Sequence, residues 1–132
     1  MPSDPKTSAK KVLVVDDMRT IQVLLPVYLV GKFYEFRSVG SAKAALALLD
    51  EFVPDLVISD VNMPDMTGAA LCAAIRGHPR FSKLPVVLMS GSVNRAELDA
   101  IGQQSKADAV VSKPIDPEKL AATVQTLLAR PG

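Results

Sequence analysis

The feature that most constrains this fold is the alternation of short apolar runs with longer segments whose apolar residues recur at helical spacing. Four runs are almost continuously apolar: Val12 to Val15, Leu56 to Ser59, Val86 to Met89 and Ala109 to Val111. Such runs are typical of parallel strands covered by helices on both faces. Phe33 to Val39 alternates in polarity instead, which predicts an edge strand.

The segments between these runs each present one apolar stripe at helical spacing. The stripes comprise Ala42, Ala45, Leu46 and Leu49, then Gly68, Leu71, Cys72 and Ile75, then Leu120, Val124, Leu127 and Leu128. Ser41, Asn94 with Glu97, and Asp116-Pro117 are helix-start signals. Strict alternation of strands and helices predicts an α/β fold with a doubly wound, five-stranded parallel sheet and helices on both faces.

Two of the predicted helices carry weak points. The fourth, from about Asn94 to Gln103, has only Leu98, Ile101 and small residues on its apolar face, so we expect it to be the least firmly docked. Pro26 falls inside the first helix, where it removes a backbone hydrogen bond and predicts a kink.

Composition indicates one globular domain of the 132 residues, with 48% hydrophobic and 22% charged residues and a formal charge of +1. We expect residues 1–10 to form a mobile tail and residues 11–130 to form the domain, with no output domain. The charge implies no nucleic-acid surface, and the absence of a long apolar run or secretory signal predicts a cytoplasmic protein without membrane contact. The single cysteine, Cys72, excludes an internal disulfide and is interpreted as a buried thiol.

Five polar residues stand at the ends of the predicted strands or just past them: Asp16, Asp17, Asp60, Ser90 and Lys113. Ligands of open parallel α/β sheets bind outside the carboxyl ends of the strands, so these side chains are expected to converge at one edge. Any one of them alone has a structural explanation, such as helix capping by Asp16-Asp17 or a solvated loop lysine at Lys113. Their conjunction favours a functional site.

Three carboxylates held close together repel one another, so such a site either raises a carboxyl pKa or recruits a hard cation. Oxygen ligands suit Mg²⁺, which also binds phosphate oxygens. A carboxylate with a free oxygen beside that metal is a candidate nucleophile toward phosphorus. Lys113 can neutralise phosphoryl oxygens and Ser90 can donate a hydrogen bond to one, so the edge is suited to phosphoryl uptake.

From about Lys11 to Arg130 the chain resembles the receiver domains of two-component response regulators. The resemblance is carried, in order, by VLVVDD, LVISDVNMPDMTG, PVVLMSG and VVSKP. It implies a flavodoxin-like sheet with strand order 2-1-3-4-5. It also implies a stand-alone receiver, similar to a chemotaxis regulator, that works as a phosphoprotein in phosphorelay signalling and is not an enzyme with its own substrate.

The resemblance also implies a role for each site residue. Asp60 is the expected phosphoacceptor and Asp17 the direct metal ligand, while Asp16 acts on the metal through water. Asn62 contributes its backbone carbonyl to the metal. Ser90 and Lys113 contact the phosphoryl group, Lys113-Pro114 matches the family's cis peptide, and Met63-Pro64 with Gly68 fits the turn after the acceptor strand.

Two positions depart from the pattern or leave it open. Many receivers carry an aromatic switch residue three positions before the lysine, where this chain has Val110. The expected switch therefore runs mainly through Ser90, its loop and the fourth helix. Two residues past Ser90, Ser92 offers no strong base for orienting water during hydrolysis of an acyl phosphate.

Other conspicuous residues receive no functional role. His78 is interpreted as a solvated loop histidine away from the site. The aromatic residues Phe33, Tyr34 and Phe36 are interpreted as packing in an edge strand.

The expected function is a receiver that takes a phosphoryl group from a histidine kinase or histidine phosphotransfer protein onto Asp60 with Mg²⁺. Its expected partners are that donor and a downstream target protein, contacted by the fourth helix, fifth strand and fifth helix; a homodimer stays open. One alternative is a phosphohydrolase of the haloacid dehalogenase type, although Asp16-Asp17 is not a D-x-D pair. The other is a pseudo-receiver that binds a partner without phosphorylation.

Overall fold

The computed structural model describes residues 10–29, 34–63, 65–91 and 94–129. Its elements, in chain order, are β1 (Lys10–Val15), α1 (Arg19–Tyr28), β2 (Tyr34–Val39), α2 (Ala42–Phe52), β3 (Leu56–Asp60), α3 (Gly68–Arg76), β4 (Val86–Ser90), α4 (Arg95–Ser105), β5 (Ala109–Ser112) and α5 (Pro117–Leu128). All paired strands are parallel, in the order β2-β1-β3-β4-β5. The predicted doubly wound sheet and its strand order are confirmed.

Each continuous apolar run contributes side chains to two hydrophobic cores, because successive strand residues point to opposite faces of a sheet. On one face Leu13 and Leu88 belong to a core shared with α2, α3 and α4. On the other face Val12 and Val87 belong to a core shared with α1 and α5. Helices thus cover both faces, and every residue of β3 and β4 is buried.

The two edge strands differ in how well their sequences predict them. In β2, half-buried and exposed residues alternate at the start of the strand, and Tyr34 and Phe36 pack edge to face with ring centroids 5.9 Å apart. The edge assignment and the packing role are confirmed, while Phe33 lies outside the described residues. β5 is the other edge, and all four of its residues are half-buried although its apolar run predicted a strand covered on both faces.

The helix-start signals act as predicted. Ser41 Oγ accepts a hydrogen bond from the Ala44 N–H, and Asp116 accepts from the first turn of α5. Asn94 and Glu97 bond reciprocally at the start of α4. α4 buries completely only one large apolar side chain, Leu98, in agreement with its sparse apolar face.

Pro26, Cys72 and His78 lie in or beside helices of the two layers. α1 runs through Pro26 to Tyr28, so the proline does not end the helix, and a kink there stays a prediction. Cys72 is buried, and that burial raises the pKa of its thiol, as expected of an inert core cysteine. His78 is less solvated than predicted, because its ring lies 5.0 Å from the Phe81 ring and its Nδ1 accepts the Arg80 N–H.

Among the described residues no helix has the length and apolarity of a membrane span.

A polar contact ties the amino-terminal edge of the sheet together. The Arg76 guanidinium, at the end of α3, donates to Asp108 Oδ2 at 2.8 Å and to the carbonyl oxygens of Lys106 at 2.9 Å and Leu84 at 2.6 Å. Asp108 Oδ2 also accepts the Val86 N–H at 2.9 Å. One guanidinium therefore joins α3, α4, β4 and β5.

Replacing this arginine tests how much the contact stabilises the fold. Arg76→Ala should lower the free energy of unfolding by about 2 kcal/mol, because it removes the hydrogen bonds that the guanidinium donates to Asp108 and to the carbonyl groups of Ser82, Leu84 and Lys106. Arg95→Ala is the matched control, because the Arg95–Asp99 ion pair is 61% and 48% exposed. We expect this control to change stability by about 0.5 kcal/mol or less. Urea denaturation measures both, and equal losses would contradict the assignment.

Candidate functional site

The sheet brings the predicted polar residues to one edge because its parallel strands end in register. Val15 pairs with Ser59, Asp60 with Met89, and Ser90 with Ser112. The residues that follow β1 and β5 therefore lie beside the ends of β3 and β4. Asp16, Asp17, Asp60, Ser90 and Lys113 all stand at this carboxyl edge.

The three aspartates form a compact acidic cluster. One carboxylate oxygen from each of Asp16, Asp17 and Asp60 lies within 4.8 Å of the others. Asp16 is fully buried and Asp60 is 6% exposed, whereas Asp17 faces water. A single cation can thus reach an oxygen of every member, and hard carboxylate oxygens are the ligands that Mg²⁺ prefers. The donor set fits a divalent cation.

Lys113 compensates part of the negative charge of this cluster. Its Nζ lies 3.2 Å from Asp16 Oδ2 and 3.3 Å from Asp60 Oδ2. The loop that carries it is held by a hydrogen bond from the Lys113 N–H to the Ser90 carbonyl, and Lys113-Pro114 is cis, as the resemblance implied. One ammonium pairs with two members of a cluster of three acids, so a further cation would complement the site.

The surroundings of Asp16 disfavour the charged form of its carboxyl group. Burial is the main cause that raises its pKa, and the Asp60 charge adds to it. The Met18 N–H, which donates to Asp16 Oδ1 at 2.8 Å, and the Lys113 ammonium oppose the rise without cancelling it. Both Asp16 oxygens are therefore engaged by the protein, while the Asp17 carboxylate is exposed to water and available to an ion.

Asp60 is fixed by the backbone around it. The Asn62 N–H donates to Asp60 Oδ1 at 3.3 Å. The first residue of α3, Gly68, packs so tightly on the Asp60 carbonyl that an added Cβ would collide with it. Gly68 is thus required where α3 begins directly over β3, and its place after β3 is as predicted, while Pro64 lies outside the described residues.

Ser90 and Val110, two further residues predicted for the site, lie in different parts of the sheet. Ser90 is 1% exposed at the end of β4, on the same edge as the acids. Val110 lies earlier in β5, beneath α4, where its Cγ1 would stand 2.6 Å from a Cβ placed on Gly102. Ser92 lies outside the described residues.

Sequence reasoning missed two residues of this region. Gly91 faces Lys113, whose Cβ would lie 3.1 Å from a Cβ at position 91, so the glycine leaves room for the lysine. The Asp65 carboxylate, in the loop after β3, accepts the N–H groups of Ala42 and Lys43 at the start of α2. Both contacts join segments distant in the chain, and no local pattern signals them.

The larger of the two cavities described, of about 720 Å³, lies at the opposite edge of the sheet. Lys10, Lys83 and Lys106 line it, together with Arg76 and the last turn of α5. Helices α3, α4 and α5 end there with their carbonyl groups, so cations complement the helix dipoles. We therefore assign the functional site to the acidic edge.

The fold is that of a doubly wound α/β protein, and an acidic cluster that could hold a cation lies at the carboxyl ends of its strands. Residues 12–125 match the family described as the response regulator receiver domain. The chain belongs to this family, whose members serve two-component signalling and are generally phosphorylated on an aspartate.

Two relatives of this chain are longer regulators. The transcriptional regulatory protein GltR of Pseudomonas aeruginosa is 34% identical over 93% of this chain and 50% of its own length. The DNA-binding response regulator MtrA of Mycolicibacterium smegmatis is 32% identical over 94% of this chain and 53% of its own. The chain therefore spans about half the length of these relatives.

Solved structures agree with this assignment. The chemotaxis response regulator CheY4 of Vibrio cholerae superposes with a TM-score of 0.82 at 30% identity, over 91% of this chain and 99% of that one. The signal receiver domain of a histidine kinase from Syntrophus aciditrophicus gives a TM-score of 0.83 at 32% identity, over 92% and 91% of the two chains.

Metal binding should be visible as stabilisation of the fold. Mg²⁺ at ten times its dissociation constant should add about 1.4 kcal/mol to the free energy of unfolding, because it relieves repulsion among the three acids. Asp17→Ala should abolish this gain, since it removes the water-facing carboxylate. Thermal melts with Mg²⁺ or EDTA measure the effect. Glu51→Ala, an exposed acid at the far end of α2, is the control that should keep the full gain. A melting temperature independent of Mg²⁺ would contradict the site.

Proposed function

We propose that the chain accepts a phosphoryl group on Asp60 from a histidine kinase or histidine phosphotransfer protein, in a Mg²⁺-dependent reaction. The phosphorylated form then signals through contact with a partner protein or passes the group on. The observation that carries this proposal is the placement of one ammonium, Lys113 Nζ, within 3.3 Å of a nearly buried carboxylate inside a three-acid cluster.

In the transfer step, a carboxylate oxygen of Asp60 attacks the phosphorus of the donor's phosphohistidine. The new P–O bond forms as the P–N bond breaks, and its electron pair leaves with the imidazole, which takes up a proton. Asp60 Oδ1 accepts the Asn62 N–H and Asp60 Oδ2 accepts from Lys113 Nζ, and both contacts are long, at 3.3 Å. The product is an aspartyl phosphate.

The surrounding residues have separate tasks in that step. The Lys113 ammonium, already paired with Asp60, neutralises a phosphoryl oxygen, and the Ser90 hydroxyl donates to another. The Asp16, Asp17 and Asp60 carboxylates and the Asn62 carbonyl would hold Mg²⁺. When bound, Mg²⁺ supplies the positive charge that lets a phosphoryl group approach three acids.

The output side of the proposal rests on Ser90 and Val110. Ser90 reports the phosphoryl group at the edge, and its loop leads directly into α4. α4 sits on β5 through the close approach of Gly102 to Val110, which takes the position of the usual aromatic residue. A cavity of about 470 Å³ lies beside this contact, lined by Arg95, Val110 and Lys119 among others. We propose that a shift of α4 across Val110 changes this surface for a protein partner.

Phosphoryl uptake can be tested without knowing the donor. Acetyl phosphate with Mg²⁺ should add one phosphoryl group to the wild type, as measured by intact mass. Asp60→Asn should take none, because it removes the nucleophile. Asp50→Asn, an exposed acid on α2, is the control and should be labelled like the wild type. Equal labelling of wild type and Asp60→Asn would contradict the assignment of Asp60.

The contact beneath α4 predicts a coupled pair of substitutions. Gly102→Ala should cost about 1–3 kcal/mol of stability, because its methyl group overlaps Val110 Cγ1. In a Val110→Ala background the same change should cost less by about 1 kcal/mol or more. Gly77→Ala is the matched control, since a Cβ there meets only carbonyl oxygens at 3.6 Å or beyond. Strictly additive losses at positions 102 and 110 would show that this contact does not set the position of α4.

A further inference from the structure

Asp65 links two segments that belong to different parts of the chain. It lies in the loop between β3 and α3, yet its Oδ2 accepts the Lys43 N–H at 2.8 Å and its Oδ1 accepts the Ala42 N–H at 3.1 Å. These donors are the first two N–H groups of α2. The loop after β3 is therefore fastened to the amino-terminal end of another helix.

The chemistry of this contact is favourable although Asp65 is exposed. The first N–H groups of a helix have no partner within the helix and carry partial positive charge, so a carboxylate suits them. Ser41 Oγ takes the Ala44 N–H and leaves the two preceding donors to Asp65. These backbone hydrogen bonds, that of Lys43 first, lower the pKa of Asp65. The link is thus a charged helix cap supplied from outside the helix.

Both ends of the link lead directly to the acidic cluster. On the α2 side, Gly40 lies against Asp17, with a hypothetical Cβ 3.8 Å from Asp17 Cα, and the Asp16 N–H donates to the Val39 carbonyl at 3.0 Å. On the loop side, Asn62 donates its N–H to Asp60 Oδ1. The loop is closed on itself by the Gly68 N–H, which donates to the Val61 carbonyl at 2.7 Å.

We propose that Asp65 is a positioning residue for the cation site. By fastening the β3–α3 loop to α2, it fixes the distance between Asn62 on one side of the cluster and Asp17 on the other. Without the link, cation binding must itself order the two sides, and affinity falls while the chemical groups stay intact. This inference rests on the proposed function of the same edge, but it concerns the geometry of the metal ligands and not the acceptor.

The test compares three variants by direct Mn²⁺ binding and by the Mg²⁺ dependence of labelling with acetyl phosphate. Asp65→Ala should weaken Mn²⁺ binding by about fivefold to tenfold, less than the roughly 10- to 100-fold lost with a partner bonded directly to a metal ligand, because Asp65 acts on the ligands through the backbone. It should raise the Mg²⁺ concentration for half-maximal labelling by the same factor, with the rate at saturating Mg²⁺ within about twofold of wild type. Asp65→Asn keeps acceptor oxygen but loses charge, so it should recover part of the affinity.

Ser41→Ala is the matched control, since it removes the other cap of α2 and leaves the residues of the β3–α3 loop unchanged. It should lower the melting temperature without altering Mn²⁺ affinity, which separates positioning from simple stabilisation of α2. Wild-type Mn²⁺ affinity in Asp65→Ala, or equal weakening by Asp65→Ala and Ser41→Ala, would overturn the inference. A wild type that binds Mn²⁺ but takes no label would defeat the proposed function instead, and the binding comparison would still decide the role of Asp65.

Discussion

Three carboxyl groups held close together at the end of a buried sheet repel one another when they are ionised. Asp16 is fully buried and Asp60 nearly so, and both remain close because β1 and β3 are neighbouring strands with registered ends. A single ammonium, Lys113 Nζ, bridges the two. The fold therefore holds an electrostatic imbalance that a divalent cation or the protons of the acids can relieve.

The two edges of the sheet divide stability and function between them. At the amino-terminal edge, the Arg76 guanidinium donates hydrogen bonds to Asp108 and to carbonyl groups, and these bonds hold helices and strands together. At the carboxyl edge the charges are not balanced. Since burial of unbalanced charge is costly, a bound cation would stabilise that edge.

The sequence was sufficient for the architecture and for most of the acidic edge. Continuous apolar runs such as Val86 to Met89 predict buried parallel strands, and the strand-end rule then places Asp60 and Lys113 together, as the structure does. β5 shows the limit of that rule, because its run is as apolar as an interior strand although it lies at the edge. An apolar run records which faces are covered by helices and does not record where a sheet ends.

Contacts between distant segments account for what the sequence could not predict. The Asp65 carboxylate accepts hydrogen bonds from the first N–H groups of α2. A glycine is required at position 102 of α4 because Val110 of β5 packs closely against it. Neither has a periodic or local signature, since each depends on how two elements approach in space. The half-buried packing of His78 on Phe81 has the same origin.

In the proposed site, Asp16, Asp17 and Asp60 share one cation beside the Asp60 oxygen that accepts the phosphoryl group. Anomalous diffraction from crystals grown with Mn²⁺ and beryllium fluoride tests it most directly. We expect one Mn²⁺ in contact with the carboxylates of Asp17 and Asp60, with beryllium fluoride on Asp60 within reach of Lys113 Nζ. Manganese bound elsewhere, with this edge free of both groups at saturating concentrations, would contradict it.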